Sequence, residues 1–171
     1  MQMLSAGGMP VLTDQHRSPD ESNPRGYFEF EPVKRLRTDQ TWLPYAQGRA
    51  LKVIHLLLTD LPADSRLAYR VLFMQRPLEE VLASQRTMLE RQGKPSAADH
   101  VLRETYQRQL RQTEQYLTRH DCFQWKKVEY HRLVISPAEV AAEVAAFLEL
   151  PLTIEKMVAA VDPSLYRERV E

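Results

Sequence analysis

The segment YRVLFMQRPLEEVLASQ, residues 69–85, joins two kinds of secondary structure at one corner. Its first part is a short apolar run with Tyr, Val and Phe, which indicates a buried strand over 69–75. A proline and two glutamates then make a favourable first helical turn, and a glycine follows later, so a helix is predicted over 77–92. Arg76 stands at the corner, at the carboxyl end of the strand.

Strands and helices alternate along the rest of the chain. Two more apolar runs predict strands, ALKVIHLLL at 50–58 and FQWKKVEY at 123–130. Helices are predicted over 31–38, over 97–119 from the capping pair Ser96 and Asp99, over 137–148 from the capping box Ser136-Pro137-Ala138-Glu139, and over 154–161. This alternation favours parallel pairing, so we expect one α/β domain over residues 1–171, with a loop or lid at 13–47.

Composition narrows the class of protein. The chain has 171 residues, which suits one domain, and its 23 basic residues balance 23 acidic ones. Such a balance gives no overall field toward nucleic acid or an anionic membrane, so neither is an expected partner. The sequence has no apolar run of membrane-spanning length and no signal-peptide pattern, so a cytoplasmic location is expected by default. No metal is expected, because Cys122 is the single cysteine and the histidines His16, His100, His120 and His131 lack zinc spacing.

Arg76 and Ser84 are candidates for binding a phosphate group. Arg76 lies where open α/β sheets bind ligands, and Ser84 follows eight residues later on the predicted helix. A planar guanidinium binds phosphate through charge-assisted hydrogen bonds, and a helix start adds partial positive charge. The alternative, that both side chains belong to a solvated surface, stays open on this evidence.

With its flanking strand, RPLEEVLAS at 76–84 resembles the donor-binding segment of the sulfotransferases that use 3′-phosphoadenosine 5′-phosphosulfate. In that family a strand is followed by Arg, often Asn-Pro, an acidic residue, Val, and a Ser eight positions after the Arg. The resemblance covers nearly the whole chain and is strongest at 50–90 and 123–150. It implies a three-layer, P-loop-like α/β fold with a parallel sheet, in which Arg76 and Ser84 hold the 3′-phosphate of the donor.

A second segment, YHRLVISP at 130–137, is similar to the family's Tyr-Glu-Asp-Leu segment, which has a proline seven residues after the tyrosine. The likeness implies that Tyr130 lies against the adenine side of the donor. The sequence departs from the pattern at His131 and Arg132, where the family usually has two acids.

The candidate for the general base is His55. The segment KVIHLLLTDLP at 52–62 looks like the family's Lys-x-His-Leu-Pro segment, in which the histidine takes the proton of the acceptor. Histidine suits that role because its pKa lies near neutrality. Other members use a glutamate, and Glu29 or Glu31 in the lid could serve instead, so the identity of the base stays open.

The family's loop of the Pro-Lys/Arg-Ser-Gly-Thr type, which cradles the 5′-phosphosulfate after a first strand, has no counterpart in the sequence. None of the five glycines offers a phosphate cradle between a strand and a helix. The start MQMLSAGG resembles the end of the helix that this loop opens in relatives, closed by Gly7-Gly8. We therefore expect a chain start placed at an internal methionine. We also expect a sheet whose first central strand, between the 50–75 pair and 123–130, is missing, which leaves open strand edges.

These features predict a sulfotransferase-like protein. It would move a sulfuryl group from 3′-phosphoadenosine 5′-phosphosulfate to a hydroxyl or amine of a small molecule or glycan, largely by positioning and charge stabilisation, with little turnover without the loop. Two alternatives stay open: a non-catalytic nucleotide-binding module that keeps Arg76 and Ser84, and an α/β protein-interaction module that pairs through the helix at 97–119.

Overall fold

The computed structural model describes residues 1–14, 16–21, 23–91, 93, 95 and 98–166. Two strands form a parallel pair, β1 (Tyr69–Gln75) and β2 (Phe123–Glu129). Their register runs from Tyr69 opposite Phe123 to Gln75 opposite Glu129, so the two strands end at the same level. A parallel pair needs a long crossover connection, and helices fill it here.

Eight α-helices lie in the described part of the chain. They are α1 (Gln2–Ala6), α2 (Leu43–Ala46), α3 (His55–Leu58), α4 (Leu78–Arg91), α5 (Asp99–Arg119), α6 (Tyr130–Ile135), α7 (Pro137–Leu148) and α8 (Ile154–Ala159). Short 3₁₀-helices span Glu31–Arg35 and Pro163–Leu165. Within the described ranges, no helix combines the length and the apolar character that a membrane crossing needs.

The two faces of the sheet pack into two hydrophobic clusters. Cluster A contains Phe73 and Phe123 of the strands, with Val33, Leu36, Trp42, Leu58, Leu61 and Leu117. Cluster B contains Val128 of β2, with Met3, Val140, Ala141, Val144, Leu148 and Met157. Successive side chains of a strand point to opposite faces, so the helices and the lid cover the sheet on both sides. The result is a mixed α/β fold around a small parallel sheet.

The strand-to-helix corner at residues 69–85 is present as predicted. The strand over 69–75 is confirmed as β1, and the helix predicted over 77–92 is α4, which begins just after the proline. The run at 123–130 forms β2 up to its penultimate residue, and Tyr130 already begins α6.

The other predicted helices are also present, with shifts of a few residues. The helix over 97–119 is α5 from Asp99 onward, while Ser96 and Ala97 lie outside the described residues. The helix over 31–38 starts as a 3₁₀-helix, and the helix over 154–161 ends early as α8.

Two helix ends show how local signals were satisfied. After α1 the left-handed residue is Gly8, with φ of 100°, and the Met9 N–H donates to the Leu4 carbonyl at 3.0 Å, which closes the helix as the glycine pair predicts. The helix α7 is present, but the predicted capping box before it does not form, because the Ser136 side chain makes no capping hydrogen bond. Glu139, its expected partner, instead lies 3.4 Å from Arg132.

The strand predicted over 50–58 is wrong. Ala50 makes only an isolated bridge to Val11, and residues from His55 onward form α3. Packing on α5 overrides the apolar pattern, because Thr113 donates a hydrogen bond to the His55 carbonyl at 3.1 Å and Leu58 is buried in cluster A. The short apolar run could not be assigned to strand or helix by its composition alone.

The expected position of a missing central strand is also wrong for this structure. The segments 69–75 and 123–129 were expected to be separated by it, but β1 and β2 are hydrogen-bonded neighbours over their full length. Each strand therefore has one outer edge that pairs with no other strand of the described residues.

Candidate functional site

The carboxyl ends of the two strands bring Arg76 and Tyr130 together. Gln75 and Glu129 are the last paired residues of the sheet, so the next residue of each strand emerges at the same level. The Arg76 Cζ atom lies 5.1 Å from the centre of the Tyr130 ring, which is a cation–π distance. Two of the residues predicted for the donor site are thus neighbours, although 54 positions separate them in the sequence.

Glu80 holds the guanidinium of Arg76. Its carboxylate oxygen Oε2 accepts a hydrogen bond from Arg76 Nε at 3.1 Å and lies 3.1 Å from Nη2. The spacing of four residues places Glu80 one helical turn along α4, within reach of the corner. Glu80 is only 2% exposed, and a buried charge is tolerated only when it is paired and hydrogen-bonded.

Tyr166 closes this cluster from the other end of the chain. Its hydroxyl donates to both Glu80 carboxylate oxygens, at 2.6 and 2.8 Å. Its ring lies 5.0 Å from the Tyr130 ring at an angle of 81°, an edge-to-face contact, and 5.2 Å from the Arg76 Cζ atom. We call Arg76, Glu80, Tyr130 and Tyr166 the carboxyl-end cluster.

Ser84 lies on α4, one turn beyond Glu80, and is exposed. The next residue, Gln85, points toward α5, where its Oε1 atom accepts a hydrogen bond from the Tyr106 hydroxyl at 2.8 Å. Since residues four apart share a helix face, Ser84 follows Glu80 along the same side of α4. Ser84 therefore lies on the surface, one helical turn along α4 from Glu80.

His55 lies in a different environment from the one predicted for it. Its Nε2 atom is 3.2 Å from Gln109 Oε1, and its ring is 5.7 Å from the Tyr106 ring, so it packs on α5. Burial raises the pKa of the Tyr106 hydroxyl. The described contacts of His55 do not include Arg76 or Tyr130. Tyr106 of α5 contacts both the His55 ring and Gln85 of α4.

The alternative bases in the lid are both held by cations. Glu29 lies 3.3 Å from Arg17 and 3.6 Å from Lys52, and Glu31 lies 2.7 Å from Lys34. These ion pairs belong to the lid and to the start of the 50–58 segment. Their described contacts likewise leave both acids outside the carboxyl-end cluster.

The lid nevertheless reaches the segment that leads to Tyr166. Arg25 donates to the Ala160 carbonyl at 2.9 Å and to the Asp162 carboxylate at 2.7 Å. Asp162 in turn accepts hydrogen bonds from the backbone N–H and the hydroxyl of Ser164, which lower its pKa together with the nearby Arg25. The last 3₁₀-helix is therefore capped by the residue that the lid contacts.

His131 and Arg132, the two residues that follow Tyr130, point in different directions. His131 lies near the carboxyl-end cluster, with its ring 6.0 Å from the Tyr166 ring. Arg132 turns away to α7, where it lies 2.5 Å from Glu143, and Lys126 lies 3.1 Å from the same carboxylate. Hydrogen bonds from these two cations lower the pKa of Glu143 to about 2. Arg132 is therefore engaged in a network of ion pairs on the surface.

The described residues contain no group of three or more His, Cys, Asp or Glu side chains that could hold a metal ion. From sequence, Glu80 is recognised only as a first-turn acid of its helix, and its spacing of four residues from Arg76 was the signal that could have linked the two. No sequence pattern marks Tyr166 as a site residue, because it comes close to Glu80 only in the folded chain.

Comparison with known proteins adds no relative. No protein-family model matches the chain, and neither a curated protein nor a solved structure resembles it closely enough to count as a match.

Proposed function

We propose that the carboxyl-end cluster binds an adenosine nucleotide that carries a 3′-phosphate, in a sulfotransferase-like protein with a three-layer, P-loop-like fold. The observation that carries the proposal is the contact between Arg76 and Tyr130 at the carboxyl ends of two parallel strands. Helices on both faces of the small sheet are consistent with that architecture. Open α/β sheets bind ligands at this edge.

The chemistry of the two residues suits the two parts of such a ligand. Arg76 supplies a planar, permanently charged donor for a phosphate, and Tyr130 supplies an aromatic ring for a base. Ser84, exposed one turn beyond Glu80, would share the phosphate. The donor would be 3′-phosphoadenosine 5′-phosphosulfate, with a hydroxyl or amine of a small molecule or glycan as acceptor.

A non-catalytic nucleotide-binding module is the second candidate. The observation that favours it is the position of His55, which contacts Gln109 and Tyr106 on α5. A general base must come within hydrogen-bonding reach of the proton it removes. Incubation of the full chain with the donor and a panel of hydroxyl and amine acceptors separates the two candidates, since only the first yields a sulfated product.

Calorimetric titration with adenosine 3′,5′-bisphosphate and with adenosine 5′-monophosphate tests the shared binding step. We expect tighter binding of the bisphosphate, and a loss of roughly tenfold or more in Arg76→Ala, because a hydrogen bond to a charged group contributes about 1.5–3 kcal/mol. Arg76→Lys keeps the positive charge but lacks the planar guanidinium group. Its affinity for the bisphosphate should therefore lie between those of the wild type and Arg76→Ala.

The matched control is Arg70→Ala. Arg70 lies on the same strand near its other end, where it donates to the Phe147 carbonyl at 2.5 Å and lies 2.6 Å from Glu149. Its removal should leave nucleotide affinity unchanged. Equal affinity of the wild-type chain for the two nucleotides, or equal losses in the Arg76 and Arg70 variants, would contradict the proposal.

A further inference from the structure

The buried carboxylate of Glu80 pairs with an arginine, Arg76, that is partly exposed. Glu80 is 2% exposed, whereas the Arg76 side chain is 26% exposed. The carboxylate contacts Nε and Nη2, two of the three guanidinium nitrogens, so it fixes the plane of the guanidinium group as well as its position. A contact with a single nitrogen would leave that plane able to rotate.

Tyr166 fixes the carboxylate in the same way. Its hydroxyl lies within 2.8 Å of both Glu80 oxygens, and the Tyr166 residue is only 5% exposed. A hydrogen-bonded network in a buried environment is more rigid than its separate pairs. The rings of Tyr166 and Tyr130, at 5.2 and 5.1 Å, then limit where the guanidinium can move.

We propose that Glu80 and Tyr166 are positioning residues that hold Arg76 in the orientation in which its guanidinium group binds the 3′-phosphate. The inference rests on the proposed function and adds to it the source of the preference for a 3′-phosphorylated nucleotide. A long arginine side chain that is already ordered loses less conformational freedom when it binds its ligand. Tyr166, which directly follows the 3₁₀-helix Pro163–Leu165, is therefore part of the nucleotide site.

Two conservative substitutions test the role. Glu80→Gln keeps the size of the side chain and removes its charge, and Tyr166→Phe keeps the ring and removes the hydroxyl. The matched control is Tyr116→Phe, since the Tyr116 hydroxyl also donates to one buried acceptor, the Leu61 carbonyl at 2.7 Å, but packs against cluster A. It reports the effect of losing a tyrosine hydroxyl elsewhere in the fold.

The readout is the ratio of the Kd for adenosine 5′-monophosphate to the Kd for adenosine 3′,5′-bisphosphate, measured on folded full-length variants. General loosening of the structure lowers both affinities and leaves the ratio in place, whereas misplacing Arg76 lowers the ratio. We expect a drop of roughly three- to tenfold in Glu80→Gln, a drop of roughly two- to fivefold in Tyr166→Phe, and no change in Tyr116→Phe.

The outcomes separate the two proposals. A wild-type chain without preference for the bisphosphate overturns the proposed function, and the inference with it. A wild-type preference that is unchanged in both variants overturns the positioning role alone. A ratio that rises in Glu80→Gln also overturns it, because Glu80 would then compete with the phosphate for Arg76. If Glu80→Gln does not fold, Tyr166→Phe decides.

Discussion

The carboxyl-end cluster and the lid at 13–47 contain the same three chemical groups in different surroundings. In each an arginine pairs with a glutamate and lies over a tyrosine ring: Arg76 with Glu80 and Tyr130, and Arg17 with Glu29 and Tyr27. The Glu80 side chain is 3% exposed, whereas that of Glu29 is 25% exposed. An exposed pair contributes little to stability, while breaking a buried one leaves an uncompensated group in the interior.

The lid depends on apolar contacts instead. Val33, Leu36 and Trp42 are all buried in cluster A, against the face of the sheet that carries Phe73. Its ion pairs lie outside that cluster. The lid is therefore stabilised mainly by the burial of apolar side chains. The carboxyl-end cluster depends on the paired and hydrogen-bonded charge of Glu80.

Trp42→Ala should have the largest effect on the free energy of unfolding. Trp42 is buried, packs edge-to-face on Phe30 at 5.5 Å and donates from its indole N–H to the Asp39 carbonyl at 3.0 Å. Removing a buried aromatic side chain leaves a cavity, which costs about 3–5 kcal/mol. Urea denaturation measures the change. Arg17→Ala is the control within the lid, and a similar loss in both variants would show that the ion pairs stabilise the lid as much as the core does.

Glu80→Ala should follow, with a loss of about 3 kcal/mol. We expect the lower part of the range for buried pairs, because the Arg76 side chain is partly exposed and water can compensate it. Glu143→Ala is the matched control, since Glu143 also pairs with an arginine, Arg132, but its side chain is 36% exposed. Its change in denaturation midpoint should be too small to resolve. Equal losses of stability in Glu80→Ala and Glu143→Ala would contradict the distinction between buried and exposed ion pairs.

Arg25→Ala should have the smallest effect on global stability and a local effect on the 3₁₀-helix Pro163–Leu165 and the Tyr166 that follows it. Arg25 is the residue through which the lid contacts Ala160 and Asp162, and its side chain is 41% exposed. We expect an unchanged unfolding midpoint and faster amide hydrogen exchange at residues 164–166. Lys34→Ala, which removes a lid ion pair with Glu31, is the control. Exchange that is equally fast in wild type and Arg25→Ala would show that the contact does not hold the segment.

Sequence reasoning succeeded where the signal was local. The strand and helix on either side of Arg76 follow from an apolar run and a proline that lie next to each other in the chain. The closeness of Arg76 and Tyr130 was not predicted, because a further strand was expected between their strands; it follows from the direct parallel pairing of β1 and β2. Parallel pairing places their carboxyl ends together whatever the details of packing.

It failed where distant residues decide the outcome. Residues 50–58 have the composition of a strand, but contacts with Thr113 and Gln109 on α5 hold His55 in a helix. The family-based topology placed a further strand between β1 and β2, which are neighbours here. Tyr166 follows an Asp-Pro break that predicts only the end of a helix, and no local pattern links it to Glu80.

The most direct test of the central claim is a titration of the full-length, ¹⁵N-labelled chain with adenosine 3′,5′-bisphosphate, observed at the Arg76 Nε–H resonance assigned through Arg76→Lys. A saturable shift of this resonance, together with shifts of the Tyr130 ring signals and a much weaker response to adenosine 5′-monophosphate, is the predicted result. A folded chain whose Arg76 and Tyr130 signals do not move at millimolar bisphosphate would contradict the account.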